Sequence, residues 1–226
     1  MHNEDTSLSI RNSKKNKHEK VPRKSYIQLQ GWLWEGSFEC CHLKADLLKG
    51  AGFKHGFFTR QSNTNILSKL ASSLQEGTTV HRPKQIHSDT VLDASKASRP
   101  PWPEADGLVS DRKAQSLWVC SADCIPVLFA DLETGHVAAC HAGWKGLAKR
   151  ILLQTIIKMK NHGSNLENLV VALGPAISKS NYEVGNEVIK GIAKSLAQNE
   201  KHFFFPNKQS LSSLAKRGIL DYNQLN

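Results

Sequence analysis

Cys124 and His141 are the two side chains around which this sequence can build chemistry. They lie at the outer ends of two apolar runs, Val127–Ala130 and His136–Cys140, separated by the polar stretch Asp131-Leu132-Glu133-Thr134-Gly135. Two apolar runs joined by a polar, glycine-ended turn predict a β-hairpin. Pairing Ala130 with His136 or with Gly135 sets Cys124 opposite Ala142 or His141. Side chains paired directly on one face stand roughly 4.5–5.5 Å apart at Cβ, close enough to share a metal or a proton. Pro126 is expected to end regular pairing and to turn the thiol out of the ladder.

A third residue, His87, fits the same site. It lies in Lys84-Gln85-Ile86-His87-Ser88-Asp89, just before the strand-like run Thr90-Val91-Leu92. Two imidazoles and a thiolate suit zinc, and three protein ligands leave a fourth position for water or substrate. The bland reading stands beside this one. A cysteine in an apolar strand is by default a small buried hydrophobe, and neither a CxxC nor an HxxxH pair is present. A metal-free alternative makes Cys124 a nucleophile activated by His141, as in thiol hydrolases. A third reading is a catalytically impaired zinc-binding or interaction protein.

Several other residues are candidates near this centre. Asp123, beside Cys124, can move a proton or orient a ligand. Arg60, at the end of His55-Gly56-Phe57-Phe58-Thr59-Arg60, is a candidate phosphate contact, since a guanidinium fork matches phosphate oxygens. Gln85 is placed to fix either the site or the substrate. Lys145 and Arg150 follow His141 at the start of an expected helix, whose positive end favours an anion. The cations also have an ordinary reading as exposed surface, Asp123 one as a structural or ligand-orienting group, and Trp144, a candidate stacking ring, one as core.

The elements that must position these residues follow from periodicity. Tyr26–Trp34 alternates weakly, as a strand does, and Phe38–Leu48 continues as strand or short helix. Leu67, Leu70 and Leu74 are spaced for a short helix. The segment 94–104, with Arg99-Pro100-Pro101-Trp102-Pro103, reads as a rigid loop. Ala105–Val109 is a turn then a strand, and Leu117–Cys120 a buried strand, with Cys120 and Cys140 as core. Leu147, Ile151, Leu152, Ile156 and Met159 recur at helical spacing, with Gly163 as the stop. Leu169–Leu173 reads as a buried strand. Val184, Val188, Ile189, Ile192 and Leu196 form a further helix, and Leu211, Leu214 and Leu220 a last one. Strands interleaved with helices predict a mixed α/β (α+β) domain of packed β-sheets covered by helices.

Composition narrows the class. The chain of 226 residues can bury one core. No apolar run approaches the roughly 20 residues of a membrane helix, and the N-terminus has no secretory h-region. Five unevenly spaced cysteines argue for a reduced, cytoplasmic protein rather than a disulfide framework. Net charge is +10, and +4 of it falls in the first 25 residues, where seven Lys/Arg meet three acids. Residues 1–25 are expected to be a disordered basic arm, and 26–226 a single catalytic domain. A basic surface attracts phosphate in any form. No RNA-binding or helix-turn-helix pattern is present, so nucleic acid is not the expected partner. Nothing fixes the oligomeric state.

Five motifs in order carry a family resemblance: KQIHSDTV (84–91), ADGLVSD (105–111), SADCIPVLFAD (121–131), HVAACHAGWKGLAKRI (136–151) and ALGPAISKSNYEVGNEV (172–188). They resemble the YfiH/YlmD family, formerly labelled multicopper polyphenol oxidoreductase or laccase-like. Its members are understood as purine nucleoside phosphorylases with adenosine deaminase activity. The resemblance implies a four-layer α/β/β/α fold and one zinc on His87, Cys124 and His141. It implies purine nucleosides (adenosine, inosine, methylthioadenosine) and phosphate as partners. Copper is the lesser alternative, because the several histidine clusters of a trinuclear copper centre are absent. The chain departs from the pattern after Arg60, where Gln61-Ser62-Asn63 replaces a glycine pair, and at Ser178–Asn181. It is also expected to be truncated, lacking the family's final strand after Asn226.

Overall fold

The computed structural model describes residues 29–199 of the chain. The expected N-terminal arm and the last helix, through Leu211 and Leu220, lie outside the described residues.

The strand elements in order are β1 (Trp32–Glu35), β2 (His42–Ala45), β3 (Phe57–Phe58), β4 (Thr79–His81), β5 (Val91–Asp93), β6 (Gly107–Val109), β7 (Gln115–Leu117), β8 (Ile125–Asp131), β9 (Val137–Ala142) and β10 (Leu169–Leu173). The helices are α1 (Asp46–Gly50), α2 (Leu67–Leu74), α3 (Trp144–Ala148), α4 (Ile151–Asn161) and α5 (Asn186–Asn199). They confirm the mixed α/β class. Among the described residues one sheet has five strands in the order β10-β8-β9-β6-β5, a second has three in the order β1-β2-β3, and β4 and β7 form a two-stranded sheet.

β8 is central because its sequence is apolar almost throughout, which only a strand covered on both faces tolerates. Alternation sends Val127 and Phe129 toward α4, where they meet Ile151 and Met159. Leu128 and Ala130 face the other way, against Trp32, Leu43, Leu48 and Phe57 of the three-stranded sheet and α1. Among the described residues α4, the five-stranded sheet and the three-stranded sheet therefore stack in that order. Ile151 and Met159 are fully buried, each contributing about 1.5–3 kcal/mol relative to exposure. Thr155 shares their face, its hydroxyl donating to the Ile151 carbonyl at 2.9 Å.

The hairpin forms where expected, but its register differs. Ala130 pairs with Val137, Pro126 with His141 and Ile125 with Ala142, so the pairing is shifted from both counts made from the turn. The reason is the turn itself. Asp131, wholly buried, accepts from Glu133 N at 2.9 Å and Thr134 N at 2.8 Å, and the loop closes with Asp131 N donating to His136 O. Nor does Pro126 end the pairing. Its carbonyl accepts from Gly174 N at 2.8 Å, so its nitrogen faces away from β9 and costs the β8–β9 ladder nothing.

Three further expectations are corrected. The helix after His141 is two helices, interrupted at Arg150, which sits in the left-handed region at φ 71°. The strand placed at Leu117–Cys120 ends at Leu117, and Cys120 is exposed rather than core. β10 is half-buried, as befits the sheet's edge, with Val171 exposed.

Glu35 on β1 lies 2.8 Å from Lys44 and is also bonded to Lys49. Hydrogen bonds from these two ammonium groups hold its carboxyl down at about 2, against an ordinary 4.5. A depressed carboxylate stabilises the fold above its unfolded value and loses that contribution as pH falls through the folded one. Urea midpoints measured from pH 5 to pH 2 should therefore fall less steeply for Glu35→Gln than for the parent chain. Parallel curves would contradict this.

Candidate metal centre

The corrected register brings the thiol and the imidazole together in a different way from direct pairing. Extending the ladder one step sets Cys124 opposite Gly143, and His141 is then its diagonal neighbour on the same face. His87 arrives from the loop before β5. The ligand atoms of His87, Cys124 and His141 all lie within 4.8 Å of one another, a separation one ion can bridge. Among the described residues this is the one such group of three or more. The rings of His87 and His141 stand edge to face, 4.7 Å between centroids at 83°. His87 is exposed, Cys124 intermediate and His141 buried, so the site opens on one side.

Gly143 makes the space. A Cβ on it would lie 2.9 Å from Cys124 Sγ and 3.0 Å from His87 Cδ2. Gly146 does the same for the approach of α3, since a Cβ there would meet the Ser88 carbonyl at 2.9 Å. The glycines of HAGWKG thus let the chain after β9 lie directly against the ligands and the His87 loop.

Asp106, not singled out in the sequence, joins the two candidate histidines. It is wholly buried, immediately before β6. Its Oδ1 accepts from His141 Nδ1 at 2.9 Å and from His87 N at 3.0 Å. Its Oδ2 accepts from Ile86 N at 3.2 Å, Ser88 N at 2.6 Å and Ser88 Oγ at 2.8 Å. Burial works to raise its pKa, but the hydrogen bonds from Ser88 and His141 outweigh it and the carboxyl lies below its usual range. His87 needs this support, for its φ of 59° is left-handed, a conformation costing a non-glycine residue about 1–2 kcal/mol. One signal was available: a lone acid inside the otherwise apolar Ala-Asp-Gly-Leu-Val run must find partners if buried.

The remaining candidates are dispersed. Gln85 spends its amide on one neighbour, Nε2 donating to Cys120 O at 2.7 Å and Oε1 accepting from Cys120 N at 2.6 Å. It ties the loop before Cys124 to the His87 loop. The same approach to Cys124 is closed by Ser121 Oγ donating to the Cys124 carbonyl, and by Ile177 N donating to the Asp123 carbonyl at 3.0 Å. Asp123 is exposed beside the thiol. Burial first, then the charges of Asp123 and Asp106, push the Cys124 thiol up. Cys140, on the α4 side of β9, is pushed by burial up to about 12 and is inert.

Arg60 is exposed on the turn after β3 and makes no hydrogen bond or ion pair to another described residue. Lys145 is exposed in a five-residue helix, its Nζ 5.7 Å from the Trp144 ring centre. That helix is too short to hold an anion by its dipole, which corrects the expectation of a long helix starting there. Arg150 instead donates from Nη2 to Ser195 O of α5 at 3.3 Å. Trp144 rests against α5 at Gly191, in the packing role.

Comparison with known proteins gives the chain's family. Residues 59–226 match the family model described as multi-copper polyphenol oxidoreductase laccase. A purine nucleoside phosphorylase of Synechocystis is 39% identical over 176 residues, covering 75% of this chain and 66% of that protein. One from Rickettsia conorii is 36% identical over 126 residues, covering 56% and 51%. The chain thus spans about half to two thirds of the length of these curated relatives. Among solved structures, a Neisseria meningitidis protein of the DUF152 family aligns with TM-score 0.52 and 28% identity, covering 83% of each chain. YfiH of Bacillus licheniformis aligns with TM-score 0.51 and 31% identity, covering 67% and 57%. Because the family match runs from residue 59 to residue 226, most of the chain, this chain belongs to the multi-copper polyphenol oxidoreductase laccase (YfiH/DUF152) family.

Proposed function

We propose that this chain is a zinc-dependent purine nucleoside phosphorylase acting on adenosine, inosine and methylthioadenosine, with adenosine deamination as a second reaction. The observation that carries the proposal is the convergence of His87, Cys124 and His141 within 4.8 Å. The names of the curated relatives support the substrate class. In this reading residues 26–226 form one catalytic domain behind a basic arm at 1–25. The unpaired thiols of Cys120, Cys124 and Cys140 support a reducing, cytoplasmic setting. No helix among the described residues is long and apolar enough to cross a membrane.

The donor set fits zinc. Two imidazoles and one thiolate are its usual partners, and three ligands leave a position open. A zinc ion bound there would act as a Lewis acid and bring a bound water's pKa toward about 7. The residues of the chain do the rest. Gly143 leaves room above the ligands, and Asp106 fixes both histidines. In phosphorolysis a phosphate oxygen bonds to C1′ of the ribose as the C1′–N9 bond breaks, and the electron pair leaves with the purine. Arg60 and Lys145 are assigned to the phosphate, as exposed cations free to meet it. Asp123 is assigned to proton movement: in deamination it would take a proton from water and deliver it to the departing ammonia. Gln85 acts at one remove, by holding the Cys120 backbone.

One observation favours a second reading. Asp106, His141 and Cys124 stand in the order of a Cys-His-Asp hydrolase. Against it, burial and two nearby carboxylates raise the thiol, whereas a metal-free nucleophile needs its thiolate.

Incubation of the full chain with adenosine and phosphate tests the proposal. Adenine and ribose 1-phosphate are expected, with the rate falling at least about 100-fold in Cys124→Ala. Product formation unchanged by that substitution, or no product from the zinc-loaded parent, would contradict it.

A further inference from the structure

The two histidine ligands come from distant parts of the sequence, yet a single oxygen touches both. Asp106 Oδ1 accepts from the His141 ring at 2.9 Å and from the His87 peptide at 3.0 Å. We propose that Asp106 is the positioning residue of the centre, setting the geometry of His87 and the tautomer of His141 together. The inference rests on the metal reading of the trio.

For His141, an ionised carboxylate can only accept, so Nδ1 must carry the hydrogen. In the neutral ring, the form that ligates a metal, Nε2 is then the bare nitrogen. For His87 the constraint acts through the backbone. The 86–88 segment aims three consecutive N–H groups at one carboxylate, joined by the Ser88 hydroxyl. Successive amides converging on an anion form a nest, a conformation that includes a left-handed residue. Here that residue is His87 itself, at φ 59°. The carboxylate that selects the reactive nitrogen of one ligand therefore also fixes the backbone that presents the other. Because Oδ1 is shared, displacing Asp106 disturbs both ligands at once.

A merely structural buried acid would affect folding alone, so the test reads metal affinity and tautomer. Zinc affinity is measured by competition with a chromophoric chelator for the full chain, Asp106→Asn and Cys124→Ala. The asparagine keeps the shape but turns an NH2 toward donors. Its affinity should fall about 10–100-fold with the far-UV spectrum unchanged. The absorption spectrum of the cobalt-loaded variant should also change in its d–d bands. Parent affinity and parent spectrum in Asp106→Asn would overturn the proposal. If that variant fails to fold, the zinc-free parent decides the matter by long-range proton–nitrogen correlation spectra. The neutral form of His141 should then carry its hydrogen on Nδ1, and a neutral form with the hydrogen on Nε2 would overturn the proposal. A parent that binds no zinc sinks the metal reading along with it, whereas a zinc-binding parent with an indifferent Asp106→Asn sinks only the positioning role.

Discussion

Gly143→Ala should leave the chain folded and weaken zinc binding at the candidate centre. Gly143 has φ −76° and ψ 163°, ordinary extended backbone for any residue, so alanine introduces no backbone strain. The conflict is with side chains. The new methyl would lie 2.9 Å from Cys124 Sγ, 3.0 Å from His87 Cδ2 and 3.6 Å from His141 Cε1. Each ligand can move aside in the free protein, because the site is open on the His87 side. None can do so while also holding a common ion, whose bonds tolerate deviations of about 0.2 Å. Zinc affinity is expected to drop at least about 100-fold, or about 2.7 kcal/mol, with the zinc-free melting temperature unchanged. Isothermal titration of both proteins reads this directly. A Gly143→Ala protein with parent affinity would mean that the ligands do not converge beneath Gly143.

The largest loss of stability should come from Asp131→Ala. This carboxylate is wholly buried and accepts from Glu133 N, Thr134 N and, at 3.2 Å through Oδ2, Asn165 N. Burial alone would raise it, but these hydrogen bonds, led by Thr134 N, hold its pKa below the usual carboxylate range. Alanine leaves several backbone donors without their acceptor, each at about 1–3 kcal/mol when buried. Partial rehydration of the turn reduces the sum, so about 3–5 kcal/mol is expected. At about 2–4 °C per kcal/mol for a chain of this size, the melting point should fall by about 6–20 °C. Because Asp131 sets the β8–β9 turn, the same substitution should also weaken metal binding by loosening the register that aligns Cys124 with His141. A melting point within about 2 °C of the parent would show that the turn closes without the carboxylate.

These two residues also show what the sequence could and could not reveal. The hairpin was legible, since two apolar runs flank a polar turn. Its register was not, because Asp131 accepts from two amides within the turn. That capping leaves more residues in the loop than a tight hairpin has, moving the partner of Ala130 on to Val137. Same-face proximity of Cys124 and His141 survived the shift only because it became diagonal. The break at Arg150 carried no glycine or proline to announce it. Cys120 looked like core from its apolar neighbours, yet its backbone is pinned at the surface by Gln85. Asp106 acts across long sequence separations, on residues 86–88 and 141, which no local pattern records. The three candidate ligands were legible mainly through the motifs that carry the family resemblance, since among ten histidines and five cysteines residue type and spacing alone were a modest signal. The shell that orients them was readable only in three dimensions.

The most direct test of this account is the zinc content of the purified chain beside that of Cys124→Ala, by elemental analysis. About one zinc per parent chain is expected, with none retained by the variant. A parent free of metal, or a variant that keeps its zinc, would contradict a centre built on His87, Cys124 and His141.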